Sequence, residues 1–377
     1  MFIKRHLEER IIRLIGSNKV LLILGTRRVG KTFLINQIKD QFKGKILMLN
    51  AEDFDVQEVL KKRTIANYQR LTGDTDLLII DEAQAIPEIG LILKLMIDSQ
   101  PQLTIIATGS SSLDLVNTTG EPLTGRQHLF NLYPIAQLEL AEDPIKTKSN
   151  LEERMILGSY PEIFQLKTTI EKESYLKELT RSYLLKDILA YADIKHANKL
   201  IDLLRLIAFQ VGSEVSLNEL SLKLGINKIT VENYLDLLQK VFILFKLTSY
   251  STNQRKEISK GSKWYFYDNG IRNAVIQDFR IPAMRNDIGL LWENYLIAER
   301  LKRNAYLEED RQMYFWRNYN QQEIDLIEVY QGGISAFEIK YGISKKVKIP
   351  QAFKLSYAEA AFTIIDPENY GEFVGIE

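Results

Sequence analysis

The stretch LLILGTRRVGKTFL, residues 21–34, determines the first part of the fold. Its apolar beginning is typical of a buried parallel strand, and the residues from Lys31 onward carry apolar side chains at helical spacing. The loop between them has the pattern Gly-x4-Gly-Lys-Thr, which surrounds a phosphate with backbone N–H groups, a lysine and a hydroxyl. We therefore expect a phosphate-bearing ligand here, with Lys31 at the β- and γ-phosphates and Thr32 on Mg²⁺. The candidate binding residues are Gly25, Thr26, Arg27, Arg28, Val29, Gly30, Lys31, Thr32 and Phe33.

The loop also contains two arginines, Arg27 and Arg28, which the phosphate-loop pattern does not require. They are placed to reach phosphate or a neighbouring subunit. Exposed arginines on a loop are also commonly just solvated, and the sequence leaves both interpretations open.

A second motif lies at LLIIDEAQ, residues 77–84. Four apolar residues ending in Asp81 and Glu82 predict a buried strand that delivers two carboxylates to its C-terminal edge, where ligands bind in such sheets. Asp81 suits Mg²⁺ coordination, and Glu82 suits orientation and activation of a water molecule. An acidic pair in this place can also cap a following helix, but the phosphate loop upstream favours catalysis.

Two further strands are predicted at residues 45–50 and 103–112. An extra strand between the phosphate loop and the acidic strand fits the P-loop ATPases that use a catalytic glutamate. Thr108, or Ser110, would then sense the γ-phosphate, although Thr-Gly-Ser is also a common turn. Arg126 is either an arginine finger acting across a subunit boundary, which would require a homo-oligomer, or an ordinary surface arginine.

Composition limits the alternatives. The 377 residues contain 49 basic and 49 acidic side chains, so net charge points to neither nucleic acid nor membrane. There is no cysteine and there are only three histidines, which excludes disulfides and cysteine-ligated zinc. The N-terminal residues predict a charged amphipathic helix, and no apolar run approaches about 18 residues. We expect a cytoplasmic protein of two or more domains without a membrane segment.

Seven segments together carry a family resemblance: GTRRVGKT, LLIIDEAQ, ATGSS, LTGR, GSYPEIF, YFYDNGIR and LWENYL. The chain resembles, over nearly its whole length, a family of bacterial and archaeal AAA-type ATPases with a C-terminal domain. The resemblance implies ATP binding at Gly30, Lys31, Thr32 and Asp81, with Glu82 catalytic. It implies no settled biological role.

The predicted fold is α/β: an AAA-type P-loop domain with a parallel sheet (1–142), a helical region (143–205), a winged-helix domain (206–284) and a C-terminal domain (285–377). Apolar residues on both sides of Gly225 have helix-turn-helix spacing, and a hairpin follows. Its loop would bring Arg255, Lys256, Lys260 and Lys263 to DNA phosphates. The second helix mixes basic and acidic residues and reads bases poorly, so DNA contact and a structural role stay open.

The last segment predicts a helix, three strands, a helix and a strand, the core order of the restriction-endonuclease-like fold. Glu338 and Lys340 lie two apart on one strand and therefore share a face. With Asp325 on the preceding strand they match the PD-(D/E)xK pattern, and Glu293 could complete a Mg²⁺ site from the helix. Alternating charges on an edge strand produce the same pattern freely.

Two function classes follow. One is an ATP-driven enzyme that acts on DNA, with Glu293, Asp325 and Glu338 as metal ligands and Lys340 as a catalytic partner in cleavage. The other is a nucleotide-dependent regulatory switch whose C-terminal domains bind partners without catalysis. The convergence of these four residues favours the first.

Overall fold

The computed structural model describes residues 3–110, 123–140, 143–184, 197–251, 261–342 and 348–376. The chain divides into two compact units, which are described separately. The N-terminal unit comprises residues 2–133 and 240–242, and the C-terminal unit comprises residues 134–239 and 243–377. The finer division into four domains stays a prediction.

The N-terminal unit is built on a five-stranded parallel sheet with strand order β2-β3-β4-β1-β5. Strands β1, β3 and β4 are almost wholly buried, as continuous apolar runs predict for a sheet covered on both faces. Its elements in chain order are α1 (Leu7–Arg13), β1 (Val20–Leu24), α2 (Lys31–Gln41), β2 (Ile46–Asn50), α3 (Phe54–Lys61), α4 (Ile65–Thr72), β3 (Leu77–Asp81), a 3₁₀ turn (Ala83–Ala85), α5 (Ile89–Ser99), β4 (Thr104–Gly109) and β5 (Gln127–Asn131).

The strand inserted between the phosphate-loop strand and the acidic strand is β4, which pairs with β1 on one side and β3 on the other. Strand β2 instead pairs with β3 at the edge of the sheet. Residues 45–50 lie between the two motifs in the chain, as predicted, but the strand they form does not lie between the two motif strands in the sheet. The insertion places the end of β4, with Thr108, beside the ends of both β1 and β3.

The C-terminal unit contains helices followed by a mixed sheet. Within the described part of the chain, no helix combines the length and the apolarity needed to cross a membrane. Its elements are α6 (Pro144–Ser149), α7 (Leu151–Leu157), α8 (Thr169–Glu178), a π-helical segment (Leu179–Leu184), α9 (Ala197–Phe209), β6 (Glu214–Val215), α10 (Leu217–Leu224), α11 (Lys228–Lys240), β7 (Leu244–Ser249), β8 (Ser262–Phe266), α12 (Asn269–Ile276), α13 (Ile288–Tyr306), β9 (Gln312–Arg317), β10 (Glu323–Tyr330), β11 (Gly333–Ile339), α14 (Gln351–Ser356), β12 (Ala361–Ile365) and α15 (Tyr370–Val374), with 3₁₀ turns at Gln137–Glu139, Pro161–Phe164 and Pro282–Met284.

One seven-stranded sheet runs through this unit, in the order β12-β11-β10-β9-β7-β8-β6. The hairpin β7–β8 follows the two helices that flank Gly225, which takes a left-handed conformation at φ +64°. Strand β7 then pairs in parallel with β9, through Thr248 opposite Tyr314 and Ser249 opposite Phe315. The hairpin and the strands of residues 312–365 therefore belong to one sheet.

Buried asparagines hold three helices of this unit together. Asn269 donates from Nδ2 to the carbonyl oxygens of Met155 and Leu291, at 3.0 Å each. Asn294 donates to Asn269 Oδ1 at 2.6 Å and accepts from the Phe266 N–H at 2.7 Å. These bonds give partners to buried backbone N–H and C=O groups, and leaving such groups unpaired would lower the free energy of unfolding. The segments YFYDNGIR and LWENYL thus carry structural asparagines.

Asp268 explains a third segment, GSYPEIF. Its carboxylate accepts the Ser159 N–H at 2.7 Å and caps α12 by accepting the Ile271 N–H at 3.2 Å. Burial raises the pKa of Asp268. Gly158 has φ +68°, and a Cβ there would lie 2.0 Å from Asp268 Oδ1. Only glycine fits this close approach.

Candidate functional site

The phosphate loop joins β1 to α2 in the predicted strand-loop-helix arrangement. Gly30 precedes the helix with φ +99°, a conformation that L side chains rarely adopt. A Cβ on Gly25 would lie 2.2 Å from the carbonyl oxygen of Leu132, so this glycine is required by packing. The N–H groups of the first turn of α2 have no partner within the helix, and they make the loop suitable for an anion.

Lys31 closes the loop on itself. Its Nζ donates to the carbonyl oxygens of Gly25 at 2.9 Å and of Thr26 at 3.1 Å, and the residue is buried. The ammonium therefore lies inside the loop, where it could donate charge-assisted hydrogen bonds to a phosphate. Thr26 and Val29 are buried and Gly30 is half-buried, while Arg28 and Phe33 are exposed.

Arg27 is half-buried, and its guanidinium lies 3.9 Å from Glu52 Oε1. An ion pair this long and this exposed contributes little to stability. Phosphate or subunit contact by Arg27 and Arg28 stays a prediction from the sequence.

The structure brings Thr32 and Asp81 together. The Thr32 hydroxyl donates to Asp81 Oδ2 at 3.2 Å, which connects the start of α2 to the end of β3. A hydroxyl and a carboxylate are the oxygen donors that Mg²⁺ takes in such loops. This donor set fits Mg²⁺ together with nucleotide phosphates.

Thr108 lies at the centre of the predicted catalytic residues. Its hydroxyl donates to Asp81 Oδ1 and accepts the Glu82 N–H at 3.1 Å. Glu82 has φ +53°, a left-handed conformation that is uncommon for a residue with a side chain. The hydrogen bond from the Glu82 N–H to the Thr108 hydroxyl therefore helps to hold a strained backbone conformation at Glu82, the residue predicted to activate water.

Gln84 is a residue that the sequence interpretation missed. Its Nε2 donates to Glu82 Oε2, and its Oε1 accepts the Ser110 N–H at 3.3 Å. Gln84 therefore connects the predicted catalytic carboxylate to the end of β4. The last letter of the DEAQ segment was the available signal, because an amide two residues after a carboxylate can reach it.

Arg126 lies just before β5 and is exposed, with its Nε 2.6 Å from Asp98 Oδ1. As a finger acting in trans, the guanidinium would have to exchange this carboxylate for the γ-phosphate of a neighbouring subunit.

In the C-terminal unit, three of the four predicted nuclease residues are close together. Lys340 Nζ lies 2.7 Å from Glu338 Oε1 and 3.6 Å from Asp325 Oδ2. Asp325 Oδ2 also accepts the Ile339 N–H at 2.8 Å. Burial, and next the charge of Asp325, raises the pKa of Glu338.

Glu293 approaches the same cluster from α13. Its Oε1 accepts the Tyr265 hydroxyl at 2.6 Å and lies 3.5 Å from Lys263 Nζ. Burial raises the pKa of Glu293 to about 7, and the neighbouring charge of Asp325 acts in the same direction. Lys263 also contacts Glu323.

The interpretation of Lys263 as a phosphate contact of the wing is wrong. Its side chain is only 1% exposed and forms ion pairs inside the unit, because β8 directs it under α13. Arg255, Lys256 and Lys260 lie outside the described residues. On the second helix, Lys228 is 3.9 Å from Glu232, which supports the view that this surface reads bases poorly.

The carboxylates do not form a ready metal site. Among the residues that the structure describes, no three His, Cys, Asp or Glu side chains are grouped so that they could hold a metal ion. Two lysines instead neutralise them in pairs, Lys340 on Asp325 and Glu338, and Lys263 on Glu293 and Glu323. The donor set therefore does not fit a divalent ion as it stands.

Comparison with known proteins agrees with the N-terminal motifs. Residues 17–141 match the model of an AAA domain family. Residues 148–280 and 288–369 match two families described as domains of unknown function, DUF8612 and DUF4143. The chain has a P-loop ATPase domain of the AAA type.

Relatives are similar in sequence over most of the chain. An uncharacterized protein of Mycobacterium tuberculosis is 26% identical over 345 residues, which cover 89% of this chain and 74% of that protein. An uncharacterized protein of Haemophilus influenzae is 24% identical over 398 residues, covering 99% and 89%. Among solved structures, a Walker-type ATPase of Pyrococcus abyssi is similar with a TM-score of 0.49 and 17% identity, covering 73% of this chain and 96% of that one.

Proposed function

Starting from the AAA-type ATPase domain, we propose that this chain binds Mg-ATP at residues 25–33 and hydrolyses it. Lys31 would neutralise the β- and γ-phosphates, and Thr32 and Asp81 would hold Mg²⁺. When bound, Mg²⁺ would supply charge that stabilises the transferring phosphoryl group. Glu82 would orient and activate the attacking water.

The observation that carries this proposal is the 3.2 Å hydrogen bond between Thr32 Oγ1 and Asp81 Oδ2. It joins two motifs that are 49 positions apart in the chain. A carboxylate that only capped a following helix would have no reason to contact the phosphate loop. Thr108, which bonds both Asp81 and the Glu82 N–H, extends the same connection to β4.

The test uses two variants with different expected defects. Lys31→Ala should lose ATP binding, because it removes the counter-charge of the phosphates, whereas Glu82→Gln should bind ATP and lose turnover. Lys39→Ala is a matched control, since this lysine lies on the same helix but near its far end. Hydrolysis by Lys31→Ala at the wild-type rate would contradict the proposal.

We further propose that hydrolysis drives an action on DNA within a homo-oligomer. The basic residues of the wing loop, Arg255, Lys256 and Lys260, support DNA contact by their charge, and Arg126 supports a shared active site. ATPase rates with duplex, single-stranded and branched DNA provide the test. Stimulation by one of them identifies the ligand, and equal rates with all three and without DNA favour the nucleotide-dependent switch.

Metal-dependent cleavage by Glu293, Asp325, Glu338 and Lys340 stays a prediction from the sequence. In the structure lysines contact these carboxylates, and the described residues provide no group of three His, Cys, Asp or Glu side chains that could hold a metal ion.

A further inference from the structure

Lys263 is a buried charge in the C-terminal unit. Its side chain is 1% exposed, and burial by itself would lower its pKa. The charges of Glu293, Glu323 and Asp325 outweigh burial, so that the pKa of Lys263 is raised. A lysine side chain enclosed in the protein interior in this way requires compensating negative charge nearby.

The compensation comes from two elements. Glu293 reaches Lys263 from α13, and Glu323 reaches it from the start of β10. The Phe315 ring lies 5.4 Å from Nζ on β9, and its π-face adds a further attraction for a cation. One ammonium therefore joins a helix to the sheet beneath it.

Two further groups lie against the Glu293 carboxylate. The Tyr265 hydroxyl donates to the same oxygen that faces Lys263, at 2.6 Å. From another side, the backbone of Gly212 approaches so closely that a Cβ there would lie 2.9 Å from Glu293 Oε1. An ammonium, a hydroxyl and a glycine backbone thus lie against this carboxylate.

We propose that Lys263 is the resident cation of the carboxylate cluster formed by Glu293, Glu323 and Asp325, the last of which Lys340 also contacts, and that this cluster binds no divalent ion while Lys263 is in place. An ammonium provides a positive charge and three N–H donors, which neutralise and hydrogen-bond the carboxylates without a metal. A divalent ion entering here would lie beside a buried cation, and the repulsion would oppose binding. The proposal does not depend on ATP hydrolysis.

The experiment is a Mn²⁺ titration, by electron paramagnetic resonance, of the nucleotide-free full chain. Lys263→Met keeps the apolar stem and removes the charge, and it should gain one bound Mn²⁺ per chain over the wild type. Lys246→Met, an exposed lysine on the adjacent strand, should gain none. Adding Glu293→Gln to Lys263→Met should remove the gained ion. Folded Lys263→Met protein with no added Mn²⁺ would overturn the proposal.

A second measurement does not depend on the folding of the lysine variant. Wild type and Asp325→Asn should bind the same number of Mn²⁺ ions, since the cluster holds none in the wild type. Any ion held at Thr32 and Asp81 is common to both proteins and cancels. One ion fewer in Asp325→Asn would show that the wild-type cluster already holds a metal, and would overturn the proposal.

Discussion

Replacing Gln84 with alanine should slow ATP hydrolysis without weakening ATP binding. Gln84 contacts the Glu82 carboxylate and the Ser110 N–H, but it makes no hydrogen bond to the phosphate loop in the structure. The substitution therefore frees the carboxylate that orients the water, while Lys31 and Thr32 keep their positions. The expected split is a lower kcat with an unchanged Kd for ATP.

The size of the effect follows from the contact that is lost. A hydrogen bond to a charged group contributes about 1.5–3 kcal/mol. Both Glu82 and Gln84 are half-buried, so water replaces part of the lost bond and the lower end applies. Because about 1.4 kcal/mol corresponds to tenfold in rate, we expect kcat to fall by about tenfold.

The assay is steady-state phosphate release, with Kd measured separately by displacement of a fluorescent nucleotide. Gln57→Ala is the matched control, because the side-chain amide of this glutamine makes a local hydrogen bond in the same unit, to the Ala51 carbonyl at 2.8 Å. It should hydrolyse at the wild-type rate. The double variant with Glu82→Gln should be no slower than Glu82→Gln alone. A wild-type kcat for Gln84→Ala, or losses that multiply in the double variant, would refute the reasoning.

Three further outcomes are expected. Mixing inactive Arg126→Ala with inactive Glu82→Gln should restore part of the hydrolysis at mixed interfaces, and a mixture that stays inactive would exclude a finger in trans. Gly158→Ala should lower the free energy of unfolding, measured by chemical denaturation, by about 1–3 kcal/mol or more through overpacking. Gly289→Ala is the control and should not lower it, because the space around its Cβ position is open. Glu328→Ala should lower the free energy of unfolding by about 3–5 kcal/mol in the same assay, because the buried Arg300, which donates to Glu328 at 2.6 and 2.7 Å, would lose its carboxylate partner. A loss under about 1 kcal/mol would contradict this.

The sequence predicts best where structure is local. The phosphate loop, its strand and its helix are consecutive in the chain, and their glycines have backbone requirements that the spacing alone reveals. The turn at Gly225 between two helices is predictable for the same reason. Contact between Thr32 and Asp81 is not local, but it follows from a rule of parallel sheets, because strands end at a common edge.

Prediction fails where pairing is distant and no rule selects the partner. A lysine next to a basic loop looks like a DNA contact, and only the position of β8 beneath α13 reveals that Lys263 faces acids. The pairing of β7 with β9 is likewise invisible in the sequence, because each strand has the apolar pattern of any half-buried strand. Buried asparagines such as Asn294 look like a functional motif until their backbone partners are seen.

The sheet that runs from β6 to β12 has a practical consequence for dissecting the protein. A fragment that began at residue 285 would keep β9 but lose β7. The backbone N–H and C=O groups of β9 around Tyr314 and Phe315 would then have no partner strand at Thr248 and Ser249. The open strand would be a template for pairing with other copies, so such a fragment should aggregate. The boundary between the two family matches, near residue 280, therefore does not separate two independent structural units. The smallest fragment expected to stay folded must retain both strands of the β7–β8 hairpin.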